Sequence, residues 1–327
     1  MTFFSVFLCL LLERMRRMDF KGFPFNAFAR YADLIARNFN AGRRRHGLLG
    51  WAVAVLPWVV VADAGFYLLR QTGTLTGFLL AMAWSVGVLY LTMGVRRFGI
   101  ELAAVRDAVG RGNQEEAARL LTLWTGEDAS EYTLPEITRV AIENALSGAH
   151  RNGFGIIAWY AFLPALLGSL LPGFLGLLLS GPGGAVLYRL TSILATRWSR
   201  PDEEEFRMFG GVVRDIFSVI DWVPARLSAL SFAIVGDFED AVYCWRSQAL
   251  TWVDHGLGVV LASGAGALGV RLGDSLHRNG SLILRPELGL GEDADQEHLN
   301  GATGLIWRAL VLWLLIIALV TVASWVD

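Results

Sequence analysis

The chain has 327 residues, 54% of them hydrophobic and 18% charged, where soluble domains carry about 25% charged residues. Its mean hydropathy is +0.47, and the apolar excess is gathered in blocks, which argues against an ordinary soluble protein and for membrane segments. The net charge of −2 excludes nothing as a total, because the charges are unevenly spread. Cys9 and Cys244 lie far apart, in or beside apolar runs. They form neither a metal-ligand spacing nor a disulfide framework, and read as buried free thiols.

In chain order, Met1–Leu12 is an apolar run ending at Glu13-Arg14-Met15-Arg16-Arg17. A secretory signal would put its positive charges first, and about a dozen residues are too few to span. We expect an amphipathic or buried helix at the cytoplasmic face. The segment up to Gly47 carries Arg14, Arg16, Arg17, Lys21, Arg30, Arg37 and Arg43–Arg45 beside Phe28, Tyr31, Leu34, Ile35 and Phe39. It stands directly before a hydrophobic span, so the positive-inside rule places the N-terminus in the cytoplasm. Its position also assigns the basic block to membrane lipids and not to nucleic acid.

Leu48–Leu69 and Thr72–Gly94 predict a transmembrane hairpin turned at Arg70-Gln71. Asp63 lies inside the first span, where an ionisable side chain is a functional candidate, and pairing with Arg70 is the simple alternative. Arg96–Arg151 is a soluble stretch with helical spacing at Leu102, Val105 and Val109 and again at Ala117, Leu120, Leu121 and Trp124. Thr133-Leu134-Pro135-Glu136 is a helix start. On the helix that follows, Arg139 and Glu143 form an i,i+4 pair that reads as a surface contact, and Glu143-Asn144 is a candidate functional pair.

Gly153–Ser180 is apolar enough to span, but Gly153, Gly155, Pro164, Gly168, Pro172, Gly173 and Gly176 interrupt it. We expect a re-entrant or broken element, with the later section cytoplasmic. Gly181-Pro182-Gly183-Gly184-Ala185-Val186-Leu187-Tyr188-Arg189 opens a helix and is no Walker A loop, since it lacks the Gly-Lys-Ser/Thr ending. After the acidic Pro201–Glu205 comes an amphipathic helix, Phe206–Ile220. Asp221-Trp222-Val223-Pro224-Ala225-Arg226 then reads as the first turn of a new helix, with Asp221 as cap and Pro224 where amides lack partners. Arg226 near that end is either a snorkelling side chain or part of a phosphate or carboxylate site. Ala241–Trp252 is amphipathic, Ala262–Leu272 is glycine-rich and too short to span, Leu284–Asn300 is an acidic loop, and Ile306–Val326 is a final span.

Glu143-Asn144, Gly183–Arg189 and Val223-Pro224-Ala225-Arg226-Leu227-Ser228-Ala229-Leu230 together resemble the superfamily containing the CobD/CbiB and AmpE membrane proteins. Leu11-Leu12-Glu13-Arg14 and Ile220-Asp221-Trp222-Val223-Pro224-Ala225-Arg226-Leu227 resemble the AmpE group more narrowly. The CobD/CbiB patterns also include an N-terminal Asp-Pro…His-Pro-Val motif and two aspartate-bearing stretches. The sequence here departs from all three, with Thr191–Thr196 and Arg214–Ser218 standing where the last two would be.

The combined reading is a mainly α, polytopic membrane protein of the bacterial inner membrane, with about four transmembrane helices plus re-entrant or interfacial and cytoplasmic amphipathic helices. Its segments are 1–47 (basic, interfacial), 48–94 (hairpin), 95–152 (cytoplasmic helices), 153–236 (broken element and motif core), 237–305 (interfacial or soluble helices) and 306–327 (last span). The resemblance implies one of two functions. The first is an AmpE-like accessory or regulatory role in cell-wall stress or β-lactamase induction, with a degenerate anion site. The second is adenosylcobinamide-phosphate synthase activity, an ATP- and Mg²⁺-dependent amide ligation of a corrinoid to aminopropanol phosphate. Under the second, Glu143 and Asp221 serve the metal or amine, while Asn144, Gly183, Gly184, Tyr188, Arg189, Pro224 and Arg226 hold a phosphate-bearing small molecule or corrinoid. A third reading, from another class, is a lipid-linked substrate binder or transporter-like protein using Asp63 and the broken span.

Overall fold

A computed structural model describes residues 1–15, 25–164, 181–199, 204–278 and 280–326. The chain is mainly α-helical, and among the described residues four helices are long and apolar enough to cross a membrane: Arg44–Arg70, Leu75–Thr92, Arg207–Val235 and Gln296–Ala323. It is a polytopic membrane protein. The chain divides into two compact units, Met1–Gly94 with Arg151–Trp222 and Ile317–Asp327, and Val95–His150 with Val223–Ile316.

In the first unit, α1 (Thr2–Met15) packs on α4 (Leu75–Thr92), and α2 (Phe25–Phe39) packs on α3 (Arg44–Arg70). The α3–α4 hairpin is as expected from its two apolar runs. Thr74 caps α4 by accepting the Gly77 amide at 3.1 Å. α8 (Gly183–Arg197) lies against α3 and α4, and Trp51 donates to Thr191 at 3.0 Å across that contact. Arg197 is bidentate to Asp33, at 2.8 and 2.5 Å. His150–Phe162 is helical with two π-helical turns, His150–Phe154 and Ala158–Phe162, flanking Gly155–Ile157. This is the start of the element expected to be broken, and its remainder, 165–180, lies outside the described residues, as do Arg16, Arg17, Lys21 and 201–203.

Pro224 is not at a helix start. Glu204–Val235 forms one continuous 32-residue helix, α9, and both Asp221 and Pro224 lie within it. This corrects the reading of Phe206–Ile220 and Asp221–Arg226 as two helices. The third candidate span is therefore Arg207–Val235. A proline inside a helix leaves the carbonyl four residues back without a donor. For Pro224 that carbonyl is Ile220 O, and Trp159 Nε1 donates to it at 3.1 Å. Pro57 inside α3 repeats the arrangement, since its freed carbonyl, Val53 O, accepts from Tyr31 Oη at 2.9 Å. An aromatic donor replaces the missing amide in both spans.

In the second unit, α5 (Val95–Gly110), α6 (Gln114–Thr125) and α7 (Leu134–Ala149) pack together, with Leu102, Val105, Ala117 and Leu121 inside. α7 begins as its sequence predicts, with Glu136 Oε2 accepting the Thr133 amide at 2.7 Å. α10 (Phe238–Gln248) is capped by Asp237 and packs on α11 (His255–Leu268), an apolar helix capped by Asp254 and closed by Gly269 at φ 66°. The last helix, α12 (Gln296–Val326), starts ten residues before the expected span.

The strands were not anticipated. β1 (Val270–Gly273) pairs antiparallel with β4 (Glu287–Leu288) and parallel with β5 (Glu292–Asp293), giving the order β4-β1-β5. β2 (Leu276–Arg278) and β3 (Ser281–Ile283) make a separate hairpin. Strands of two to four residues carry too little alternation for a period-2 signal, so the acidic "loop" concealed them.

Candidate functional site

In the first unit, Tyr188 and Asp221 meet inside the protein. Tyr188 is fully buried and Asp221 is 2% exposed. The Tyr188 hydroxyl donates to Asp221 Oδ1 at 2.7 Å. Asp221 thus has a phenol partner in place of the first-turn amides expected of a cap. The ring of Tyr188 approaches so closely over Gly155 that a Cβ at that glycine would strike the phenol. Its other face leans on Phe217 at 5.6 Å.

Two arginines belong to the same cluster. Arg151 places its guanidinium 5.7 Å from the centre of the Phe217 ring, and Arg189, next to Tyr188 on α8, donates to Asn152 Oδ1. Arg151 and Asn152 are presented by the first π-helical turn, a geometry concentrated at functional sites. The result is a half-buried pair of permanent cations with an amide beside them, a donor set suited to an anion with several oxygens. Sequence reading singled out Tyr188, Arg189 and Asp221. It missed Arg151 and Asn152, whose signal is only their position directly after His150. Gly183 and Gly184 are taken up by helix contacts: a Cβ at the first would meet Asp63, and at the second the Trp159 carbonyl.

In the second unit, Glu143 is 7% exposed and its carboxylate is fully engaged. Arg285 donates to Oε2 at 2.8 Å and to Oε1 at 3.1 Å, and the Gly273 amide adds a bond to Oε1 at 2.8 Å. Arg285 also donates to the Gly273 and Asp274 carbonyls and lies 5.6 Å over Trp252. Arg139 does not pair with Glu143 and is not a surface residue. It is 7% exposed and reaches Asp274 Oδ2 at 2.6 Å and the Ser275 carbonyl at 2.9 Å. Glu136 Oε1 receives the His277 amide at 3.0 Å and lies 2.8 Å from its Nδ1. Three residues of α7, spaced at 136, 139 and 143, therefore hold the strand insert, and Asp274 takes φ 60° at the point of attachment. The Ser275 amide and then Arg139 hold the Asp274 carboxyl below the usual carboxylate range. Burial pushes Glu136 up, but the hydrogen bonds from Thr133 and His277 outweigh it and leave it low as well.

Asn144 donates to the Val140 carbonyl of its own helix at 2.8 Å. Pro224 is buried and Arg226 half-buried. Fully buried His150 lies 2.9 Å, through Nδ1, from Ser228 Oγ. Among the described residues no three His, Cys, Asp or Glu side chains converge to hold a metal ion. Glu143, with both oxygens on Arg285, does not fit a Mg²⁺-nucleotide site as it stands.

The chain matches the family model described as CobD/Cbib protein over residues 5–306. It is 32% identical over 322 residues to the cobalamin biosynthesis protein CobD of Stutzerimonas stutzeri, covering 97% of each chain. The cobalamin biosynthesis protein CobD of Chromobacterium violaceum is 31% identical over 235 residues, covering 72% of this chain and 70% of its own. That of Mycobacterium tuberculosis is 28% identical over 208 residues, covering 62% and 60%. No solved structure matches. These relatives overturn the AmpE-like regulatory expectation, since they are cobalamin biosynthesis proteins. The AmpE-like fragments around Glu13-Arg14 and Trp222 are short, and the match that runs the length of the chain outweighs them.

Proposed function

The chain belongs to the CobD/CbiB family, and from that premise we propose that it is a membrane-bound enzyme of cobalamin biosynthesis, joining a corrinoid carboxyl to the amine of an aminopropanol phosphate. The observation that carries this is the likeness to a cobalamin biosynthesis protein over 97% of both chains. The reaction itself is the one the sequence resemblance implies. Amide formation from a free carboxyl expels water, so the carboxyl needs activation, which the resemblance assigns to ATP. The described residues do not gather a metal-holding carboxylate set.

What the residues can do is bind and orient. In the first unit, Arg189 and Arg151, with Asn152 between their roles, suit a phosphate monoester, because planar guanidinium groups offer paired donors to its oxygens. Asp221, held by Tyr188, orients the cluster from below. In the second unit, Arg226 is a separate anion candidate, and Asn144 a polar group for positioning. We assign Glu143 to anchoring the strand insert. We place the protein in the cytoplasmic membrane of a bacterium, with the N-terminus cytoplasmic, because Arg30, Arg37 and Arg43–Arg45 precede the first span.

The test is complementation of a strain lacking the synthase, scored by growth that requires corrinoid salvage. The wild-type chain restores growth and Arg189→Ala, at equal membrane abundance, does not. Absence of rescue by the wild-type chain at normal abundance removes the synthase reading.

A further inference from the structure

Asp63 stands apart from the clusters above. It lies in the C-terminal third of a membrane-spanning helix, α3, and is 3% exposed. It does not pair with Arg70, which instead lies 5.9 Å over Phe66. Asp63 Oδ1 accepts the Gly183 amide at 2.8 Å, in the first turn of α8. Pro182, at the cap position of that helix, supplies no side-chain bond of its own. The carboxyl of one helix therefore caps another. The fit is close, because a Cβ at Gly181 or Gly183 would run into this carboxyl. The glycines of the Gly-Pro-Gly-Gly turn make room for Asp63.

The second oxygen, Oδ2, is buried and has no hydrogen-bond partner among the described residues. That is the informative asymmetry. An ionised carboxylate at this depth would carry half its charge on an atom that neither water nor a donor solvates. Such a charge is among the most expensive things to bury in an apolar interior. The partial positive charge of a helix N-terminus offsets only a fraction of that, and the single amide already made is all that the turn provides here. A protonated carboxyl removes the conflict. Its carbonyl oxygen still accepts the Gly183 amide, and an unpaired hydroxyl costs far less than an unpaired charge.

We propose that Asp63 carries a proton on Oδ2 and acts as a neutral cap donated by the neighbouring helix, fixing where α8 begins and thereby where Tyr188 and Arg189 stand. Asp63 is then a positioning residue: Tyr188 and Arg189 lie five and six residues downstream of its target, Gly183, on the same helix. Only this consequence for activity rests on the reading of Tyr188 and Arg189 as site residues. The protonation and the cap do not.

The experiment uses the full chain in lipid nanodiscs. An infrared difference spectrum, wild type minus Asp63→Asn, shows the C=O stretching band of a protonated carboxyl at neutral pH. Appearance of carboxylate bands alone overturns the proposal. Because an amide oxygen also accepts from Gly183, Asp63→Asn keeps wild-type abundance and melting point and supports corrinoid-dependent growth. Asp63→Leu, which cannot accept, loses roughly fivefold in membrane abundance, and Gly183→Ala, which crowds the carboxyl, falls with it. An Asn variant as impaired as Leu also overturns the proposal, by showing that the charge is needed. Where the Leu variant is too unstable to isolate, the infrared spectrum still decides. Failure of the wild type in the growth assay with a positive infrared band rejects the function reading and leaves the proton in place.

Discussion

The two units each bury a carboxylate that the sequence singled out, and they hold it with different kinds of partner. Glu143 in the second unit is met by a guanidinium, bidentate and reinforced by an amide. Asp221 in the first is met by the hydroxyl of a buried phenol. A buried ion pair is strongly destabilised when one partner is removed, because the other charge remains in place. A buried hydrogen bond to a neutral partner leaves a smaller debt. The difference separates a tie that holds an insert in place from a polar group poised beside two further cations, Arg151 and Arg189. Stability is expected to be concentrated in the Glu143 tie and chemistry in the Asp221 cluster.

The largest effect follows from breaking the tie. Arg285→Met strands Glu143 and is expected to cost about 3–5 kcal/mol, read as thermal unfolding of the purified protein in detergent. Adding Glu143→Gln recovers most of it, with a coupling energy of about 1–3 kcal/mol in the double-mutant cycle. Independent, additive effects would show that the pair is not a unit. The contrasting change, Tyr188→Phe, costs about 1–3 kcal/mol of stability, yet abolishes corrinoid-dependent growth at matched abundance. Growth at the wild-type rate would remove Tyr188 and Asp221 from the chemistry.

How much of this was legible beforehand varies with the kind of signal. The α3–α4 hairpin and the last span were readable because twenty apolar residues have few alternatives to a membrane helix. The start of α7 was readable because Thr133 and Glu136 carry their own capping chemistry. Asp221 and Pro224 misled, since a carboxylate followed by proline is what a helix start looks like. Only the Trp159 indole, 61 residues away, makes the proline acceptable in mid-helix. Arg139 and Glu143 were correctly placed on one helix. Their partners, Asp274 and Arg285, lie more than 130 residues downstream, in the connections between strands too short to announce themselves.

Two smaller tests sharpen the contrast. Trp159→Phe leaves the Ile220 carbonyl without a donor and is expected to cost about 1–2 kcal/mol in the same unfolding assay. No loss would mean that another group reaches that oxygen. The smallest effect is in pH. Glu136 and Asp274 both sit below their ordinary values, so their stabilisation is complete above about pH 5 and is lost as the pH falls from about 4 downward. The protection of the Gly273–His277 amides from hydrogen exchange, taken relative to the intrinsic rate at each pH, is expected to fall over that interval, while that of the amides around Tyr188 stays unchanged. Equal loss of protection in both places would erase the distinction between the two units.

The two prolines have a consequence for how the chain is made. Tyr31 precedes Val53 by 22 residues, and Trp159 precedes Ile220 by 61. In each case the donor is synthesised before the carbonyl that needs it. As translation proceeds from the N-terminus, each proline-bearing span is therefore made after the aromatic donor of its replacement hydrogen bond. Moving either aromatic to the C-terminal side of its proline would leave a bare carbonyl in hydrocarbon until a later segment arrived, a delay that pulse-labelled insertion would register as slower maturation.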